Sequence, residues 1–146
     1  MADTASMTLT VDAPLDKCWA IATDFERYPE WAKDVKSAVV AARDEQGRAT
    51  EVEFRTSALG RSTHYSLAYD YSAAPHRLAW RMVKGDIMRA VDGAYMFAPD
   101  ASGGVVVTYN LSIELIVPLP GFVKRRAEVR ILNTVKELKV RAETAQ

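Results

Sequence analysis

Pro118-Leu119-Pro120-Gly121-Phe122-Val123-Lys124-Arg125-Arg126-Ala127-Glu128-Val129-Arg130-Ile131-Leu132-Asn133-Thr134-Val135-Lys136-Glu137-Leu138-Lys139-Val140-Arg141-Ala142 is the stretch that decides how this chain folds. It opens on two prolines and a glycine, which suit the start of a helix and not its interior. No Gly or Pro follows up to Ala142. Val123, Ala127, Ile131, Val135, Leu138 and Ala142 recur every three or four residues, which predicts one apolar stripe along an α-helix. At ~1.5 Å per residue such a helix is about 30 Å long, enough to cross a small domain. A helix with one apolar stripe needs a broad apolar surface to lie on. The rest of the chain has to supply it.

The chain has 146 residues, a length that predicts one domain spanning residues 1–146 with a real core. Formal net charge is zero, so nothing global points to nucleic acid. The charge is uneven, however. From Pro118 through Glu143 there are seven basic and three acidic residues, which leaves twelve basic against sixteen acidic elsewhere. Cys18 is the single cysteine, so no disulfide forms within the chain and no cysteine-based metal site is expected. Met1-Ala2-Asp3-Thr4 does not resemble a signal peptide, and no apolar run reaches the ~18 residues of a membrane span. These features predict a soluble cytoplasmic protein.

Upstream of the helix the period changes to two. Met7, Leu9 and Val11 alternate with Thr8, Thr10 and Asp12, a strand with one buried face. Pro14 and Asp16 suit the first turn of a short helix carrying Leu15, Cys18, Trp19 and Ala22. Its Trp19 is expected to be buried and to anchor the helix to the sheet. A second short helical turn follows around 25–32. Six further strands are predicted. The first runs from Val35 to Arg43. The next four carry Val52-Phe54-Thr56, Tyr65-Leu67-Tyr69-Tyr71, Leu78-Trp80-Met82 and Val91-Gly93-Tyr95-Phe97. The last carries Val105-Val107-Tyr109-Leu111-Ile113. Short Gly, Asp or Pro turns between them predict antiparallel pairing. The fold class is therefore α+β, a curved seven-stranded antiparallel sheet around a long C-terminal helix, with two short helices after the first strand.

The inner parity of this sheet is unusually aromatic. Phe54, Tyr65, Tyr69, Tyr71, Trp80, Tyr95, Phe97 and Tyr109 share it. A sealed core favours Leu, Ile and Val, because a buried hydroxyl needs a partner. Tyrosine in this number suits a cavity wall with an apolar body and polar tips. The plainer alternative is amphipathic core packing with hydroxyls at the sheet rim. Gly93, in mid-strand among the rings, is expected to mark a bend or to leave room.

Val11-Asp12-Ala13-Pro14, then Trp19, then Asp24-Phe25-Glu26-Arg27-Tyr28-Pro29-Glu30-Trp31 resembles the opening of the START-like (SRPBCC) superfamily, in its polyketide cyclase/dehydrase and lipid-transport branch. The strand order and terminal helix fit as well, so the resemblance covers nearly the whole chain. It implies a helix-grip fold, in which the sheet grips the C-terminal helix and two small helices close one end of a hydrophobic cavity. On that fold Phe25, Tyr28 and Trp31 cap the open end. Phe54, Tyr65, Tyr69, Trp80, Met82, Tyr95 and Tyr109 line the wall, facing Ile131 and Val135 of the helix. The implied function is binding of a hydrophobic small molecule (lipid, quinone or polyketide-like) as a carrier. Members act on or carry such molecules without a shared chemistry. The alternative is a polyketide aromatase/cyclase or dehydrase. A third reading is a regulatory protein whose interior is filled by side chains.

Catalytic patterns are sparse. Cyclases of this branch are thought to use a cavity Arg with a Tyr. Here Arg77 and Arg81 have the outward parity, and Ala32-Lys33-Asp34-Val35 lacks the further Tyr a cyclase would show. Arg89 shares the parity of Val91 and Tyr95 but lies at a strand start. His64 reads as outward and His76 as a turn residue. Glu51, Glu53 and Glu114 read as outward too. No nucleophile elbow, phosphate loop or dinucleotide fingerprint is present. No metal and no cofactor is expected. Lys124-Arg125-Arg126 with Arg130, beside the apolar tip 116–122, reads first as a solvated helix face. A transient contact with an anionic membrane stays open as the alternative. Val129, Leu132 and Val140 lie off the stripe, which leaves a monomer or a homodimer open.

Overall fold

The computed structural model describes residues 3–58, 61–86, 88–115 and 121–144, with side chains at 4–57, 62–86, 89–114 and 132–144. The elements run β1 (Asp3–Val11), α1 (Leu15–Thr23), a 3₁₀ helix (Phe25–Glu30), β2 (Val35–Arg43), β3 (Ala49–Ala58), β4 (Arg61–Asp70), β5 (Arg77–Gly85), β6 (Met88–Pro99), β7 (Val105–Leu115) and α2 (Gly121–Thr144). The expected α+β architecture is present. All seven strands form one curved antiparallel sheet in the order β1-β7-β6-β5-β4-β3-β2.

That order dictates the rest. Consecutive strands from β2 to β7 pair as hairpins, and β1 pairs with β7 from Asp3↔Ile113 to Val11↔Val105. β1 and β2 thus form opposite edges of the sheet. The chain between them has to cross from one edge to the other, and α1 and the 3₁₀ helix make that crossing. Tyr28-Pro29 keeps the second piece short, since Pro29 has no N–H to continue an α-helical ladder. Its turns close through i+3 bonds, Arg27 N–H to Asp24 O at 3.2 Å and Trp31 N–H to Tyr28 O at 3.1 Å. α1 packs against α2 and β6, and the 3₁₀ helix packs against β2.

The inward parity read from sequence is the main burial pattern observed, although Ser66, beside a register shift in β4, and Ala94 are buried on the other parity. Val52 and Phe54 on β3, Leu78 and Trp80 on β5, Tyr95 and Phe97 on β6, and Val105, Val107, Tyr109 and Leu111 on β7 are all buried. α2 lies on this face, with Val135, Leu138 and Ala142 of the expected stripe fully buried. The side chains of Val123, Ala127 and Ile131, and the basic cluster Lys124-Arg125-Arg126, lie outside the described side chains. So does the apolar tip, whose first five residues, 116–120, are outside the described residues altogether. Leu132 packs on the core, whereas Val140 is 60% exposed. The far end of α2 is fixed to β1. Glu143 accepts from Asp12 N–H at 2.8 Å and from Lys139 Nζ, which also donates to Thr10 O at 2.8 Å. Turns are locked in the same way. Asp100 Oδ1 accepts from Ser102 N–H, Ser102 Oγ and Gly104 N–H, while Gly103 takes φ +93°, a conformation L side chains rarely adopt.

Two expectations need correction. Trp19 is only half-buried; Cys18 and Ala22 are the fully buried residues of α1. α1 is turned so that the indole lies along its flank, edge-on to Tyr71 (centroids 6.2 Å apart) and Phe97 (6.1 Å). Arg89 does not share the inward parity of Val91. A bulge between Met88 and Ala90 shifts the register and breaks the alternation there. Its side chain is 63% exposed and pairs with Glu114 at 3.5 Å.

The position of Trp19 changes what its loss should cost. A fully buried Trp is worth ~3–5 kcal/mol on truncation, whereas a half-buried one touching two rings should be worth about 2 kcal/mol. Denaturant unfolding of Trp19→Ala measures this. A loss above about 4 kcal/mol would mean that the indole is a core anchor after all.

Candidate functional site

The concave face of the sheet carries a continuous set of aromatic rings. Cross-strand register builds it, because Phe54 pairs with Tyr65, Tyr69 with Trp80, Trp80 with Gly93, and Tyr95 with Tyr109. Phe54 and Tyr65 stack at 5.7 Å. Trp80 lies 6.0 Å from Tyr69, 5.5 Å from Tyr95 and 5.7 Å from Tyr109, and the last two are 4.9 Å apart. Gly93 makes this possible. A Cβ there would fall 2.5 Å from Asn110 O and 2.7 Å from Trp80 Cζ2, so only glycine lets the indole lie across β6.

The crossing segment closes one end of this face. Phe25 is buried with its ring 4.4 Å from Tyr69 and 6.4 Å from Phe54. Tyr28 is buried against Phe25, Trp31 and Phe54. Trp31 is half-buried. On its outer side a groove of about 630 Å³ runs between the 3₁₀ helix and the second half of α2. The groove is bordered by Arg141–Glu30 (2.9 Å) and by Glu137, which accepts from Lys33 N–H at 3.2 Å.

The structure therefore brings Phe25, Tyr28, Phe54, Tyr65, Tyr69, Trp80, Tyr95 and Tyr109 into one network of ring contacts. Trp31 and Met82 sit at its margins, and Val135 is buried in the same core. The side chain of Ile131 is outside the described set. Glu137 went unnoticed in the sequence. It lies on α2 one residue before Leu138 of the stripe, and its charge reaches Tyr95 as well as the Lys33 N–H. Helical periodicity marks it only as flanking the stripe.

Each tyrosine of the chain is perturbed in the same direction. Burial pushes the phenol of Tyr65 up to about 12, with a hydrogen bond to Thr56 opposing the shift. Burial also pushes that of Tyr71 to about 12, with the Arg48 guanidinium, 4.9 Å over its ring, acting against it. Burial raises Tyr28, Tyr69, Tyr95 and Tyr109 well above the ordinary value of 10.0. Two hydroxyls are satisfied by backbone, Tyr28 donating to Ala22 O at 2.5 Å and Tyr71 to Ala49 O at 2.6 Å. Tyr65 and Tyr69 nevertheless keep accessible surface, being only partly buried by area.

No described side chain offers charged catalysis on this face. Arg77, Arg81 and Arg89 are exposed, as are His64 and His76, and His76 Nδ1 lies 3.3 Å from Phe97 O. No group of His, Cys, Asp and Glu capable of holding a metal occurs among the described residues. No described helix is long and apolar enough to cross a membrane.

A seven-stranded curved sheet, a long C-terminal helix on its concave face and a two-piece helical crossing define a START-like helix-grip protein. Sequence comparison is more particular. Residues 2–141 match the polyketide cyclase/dehydrase and lipid transport family, and the chain belongs to it. No curated protein matches the chain at a significant level. Among solved structures, a START superfamily protein from Mycobacterium smegmatis superposes with a TM-score of 0.88 at 24% identity, covering 98% of this chain and 99% of that one. A protein from Thermus thermophilus gives 0.84 at 20% identity, with 99% of each chain covered. The Zhui aromatase/cyclase from a Streptomyces species gives 0.77 at 16% identity, over 99% and 98%. Identities this low establish the shared fold.

The raised phenols make a prediction about alkaline pH. An unfolded chain loses its six tyrosine protons near pH 10, whereas the folded chain retains them. The protons that the folded state holds more tightly stabilise it below pH 10, and this stability falls as pH rises above 10. Phenolate absorbance should therefore appear late, together with loss of the fold by circular dichroism. Titration of most tyrosines near pH 10 with the fold intact would show that the rings are solvent-facing.

Proposed function

We propose that this protein is a single START-like domain that binds one hydrophobic small molecule between the concave sheet face and α2 and carries it as a soluble cytoplasmic protein. The observation that carries the reading is the state of Tyr65 and Tyr69. Burial raises both phenols, yet both residues are only partly buried. The two facts agree if the remaining surface faces an interior space, which a completely filled core would not offer. Family membership supports the same class of ligand.

Binding needs no charged contact. A ligand hiding about 400 Å² of apolar surface gains about 10 kcal/mol at roughly 25 cal/mol per Å², before association and ordering costs. Micromolar affinity, about 8 kcal/mol, is then the upper end. Cyclase chemistry is the second reading. One fold neighbour is an aromatase/cyclase, but the inward-facing cationic partner for a phenol is missing among the described side chains of β4 to β7.

Trp80 and Trp31 report the test. A hydrophobic fluorescent probe should shift tryptophan emission with a Kd in the micromolar range. Tyr95→Arg should abolish that shift, because the charge would be stranded in an apolar wall, while circular dichroism stays close to that of the parent protein. If Tyr95→Arg unfolds the chain and no probe ever shifts the emission, the interior is a packed core and the carrier reading is wrong.

A further inference from the structure

Each edge of the sheet holds its own cover. On one side the 3₁₀ helix packs on β2, and Arg43 of that strand reaches Glu26 at 3.2 Å. On the other side Lys139 and Glu143 tie the last turns of α2 to β1. β1 and β2 are opposite edges and do not pair with each other. The two covers therefore meet along a seam that no strand ladder crosses. Two polar contacts span it. Arg141 meets Glu30 at 2.9 Å, and Glu137 accepts from Lys33 N–H at 3.2 Å.

The groove of about 630 Å³ lies in this seam, with Trp31 on one wall and Val140 and Lys136 on the other. Trp31 faces two ways. It lines the groove, and its ring lies 4.8 Å from Tyr28, which touches Phe25 at 5.3 Å and Phe54 at 6.0 Å. The indole thus stands between the groove and the interior rings. Glu137 joins the same two regions, since it lines the groove while its charge reaches Tyr95 on the concave face. Parting the seam breaks one ion pair between partly exposed side chains and one hydrogen bond. An ion pair of that kind is weak. Entry between two strands would break a ladder of backbone hydrogen bonds instead. The piece that would move is a short 3₁₀ helix, whose hydrogen-bond geometry is poorer than that of an α-helix.

From this geometry, and resting on the binding reading above, we propose that the seam between the 3₁₀ helix and the second half of α2 is the passage by which the ligand enters and leaves. Trp31 is its inner partition, and the Glu30–Arg141 and Glu137–Lys33 contacts are its latch. The groove is the outer vestibule, where an apolar molecule meets Trp31 and Val140. A latch that holds the seam shut with or without ligand sets rates and leaves affinity alone.

Stopped-flow mixing with N-phenyl-1-naphthylamine, a neutral apolar fluorophore, measures the entry rate, and displacement measures the exit rate. Glu30→Gln and Arg141→Gln should each raise both rates about two- to fivefold, the worth of one partly exposed ion pair, at unchanged Kd. The double variant should be no faster than either single one, because all three lose the same contact. Glu30→Cys with Arg141→Cys, joined by a cleavable bis-methanethiosulfonate linker, closes the seam covalently, and buried Cys18 is shielded from the reagent. The joined protein should exchange the fluorophore at about one-tenth of the parent rate or slower, and a thiol reductant should restore exchange. The single variants decide the matter if the joined protein does not fold. Parent rates after joining or in the single variants, or a change in Kd without both rates moving together, overturns the passage and leaves the carrier reading standing. A fluorophore that never binds the parent protein overturns the carrier reading and the passage with it.

Discussion

A curved sheet with one apolar face cannot exist alone in water, and everything else in this protein follows from the need to cover that face. The sheet's order leaves β1 and β2 as its edges and its concave side open. α2 is the described element long enough to lie across it, and it presents Val135, Leu138 and Ala142 to do so. Its far end is then tied to β1 through Glu143 and Lys139. The short crossing from β1 to β2 has no freedom either. It must travel along one end of the concave face, and it puts Phe25 and Tyr28 there. The cover and the end cap are consequences of one pairing scheme.

What lies under the cover is chemically odd for a core. The described core residues of α2 are aliphatic, while on β3 to β7 rings are interspersed with aliphatics such as Val52, Leu67, Leu78 and Val91. Rings pack less completely than branched aliphatics, and tyrosine brings a hydroxyl that needs an acceptor. Tyr28 and Tyr71 find one on the backbone, and Tyr65 has Thr56. Gly93 shows that the crowding is directional, since it makes room for Trp80 to lean across β6.

Much of this was legible in the sequence, for a simple reason. A strand buried on one face must alternate, and a helix lying on a sheet must carry a stripe, so Tyr65 to Tyr69 and Val135 to Ala142 declare their faces. β2 was legible near its observed bounds, Val35–Arg43. Parity fails where the ladder itself is irregular. The bulge beside Arg89 inserts a residue and breaks the alternation, and nothing in Met88-Arg89-Ala90 announces it. The tilt of α1 was equally invisible. Leu15, Cys18, Trp19 and Ala22 fit one helical face, but which of them points deepest depends on where α2 and β6 press. Hydroxyl partners were hidden too, because Tyr28 reaches Ala22 O and Tyr71 reaches Ala49 O only after the chain has turned. The ring set could be read from parity; the backbone partners of Tyr28 and Tyr71 could not.

Native mass spectrometry of the protein purified from its own host, sprayed gently and again after denaturation, tests the central claim most directly. The expected result is a fraction of the folded protein carrying one non-covalent neutral molecule, at one copy per chain, that disappears on denaturation and is recovered in organic extract. Folded protein found at its bare mass in every preparation, with no apolar small molecule in the extract, would contradict it.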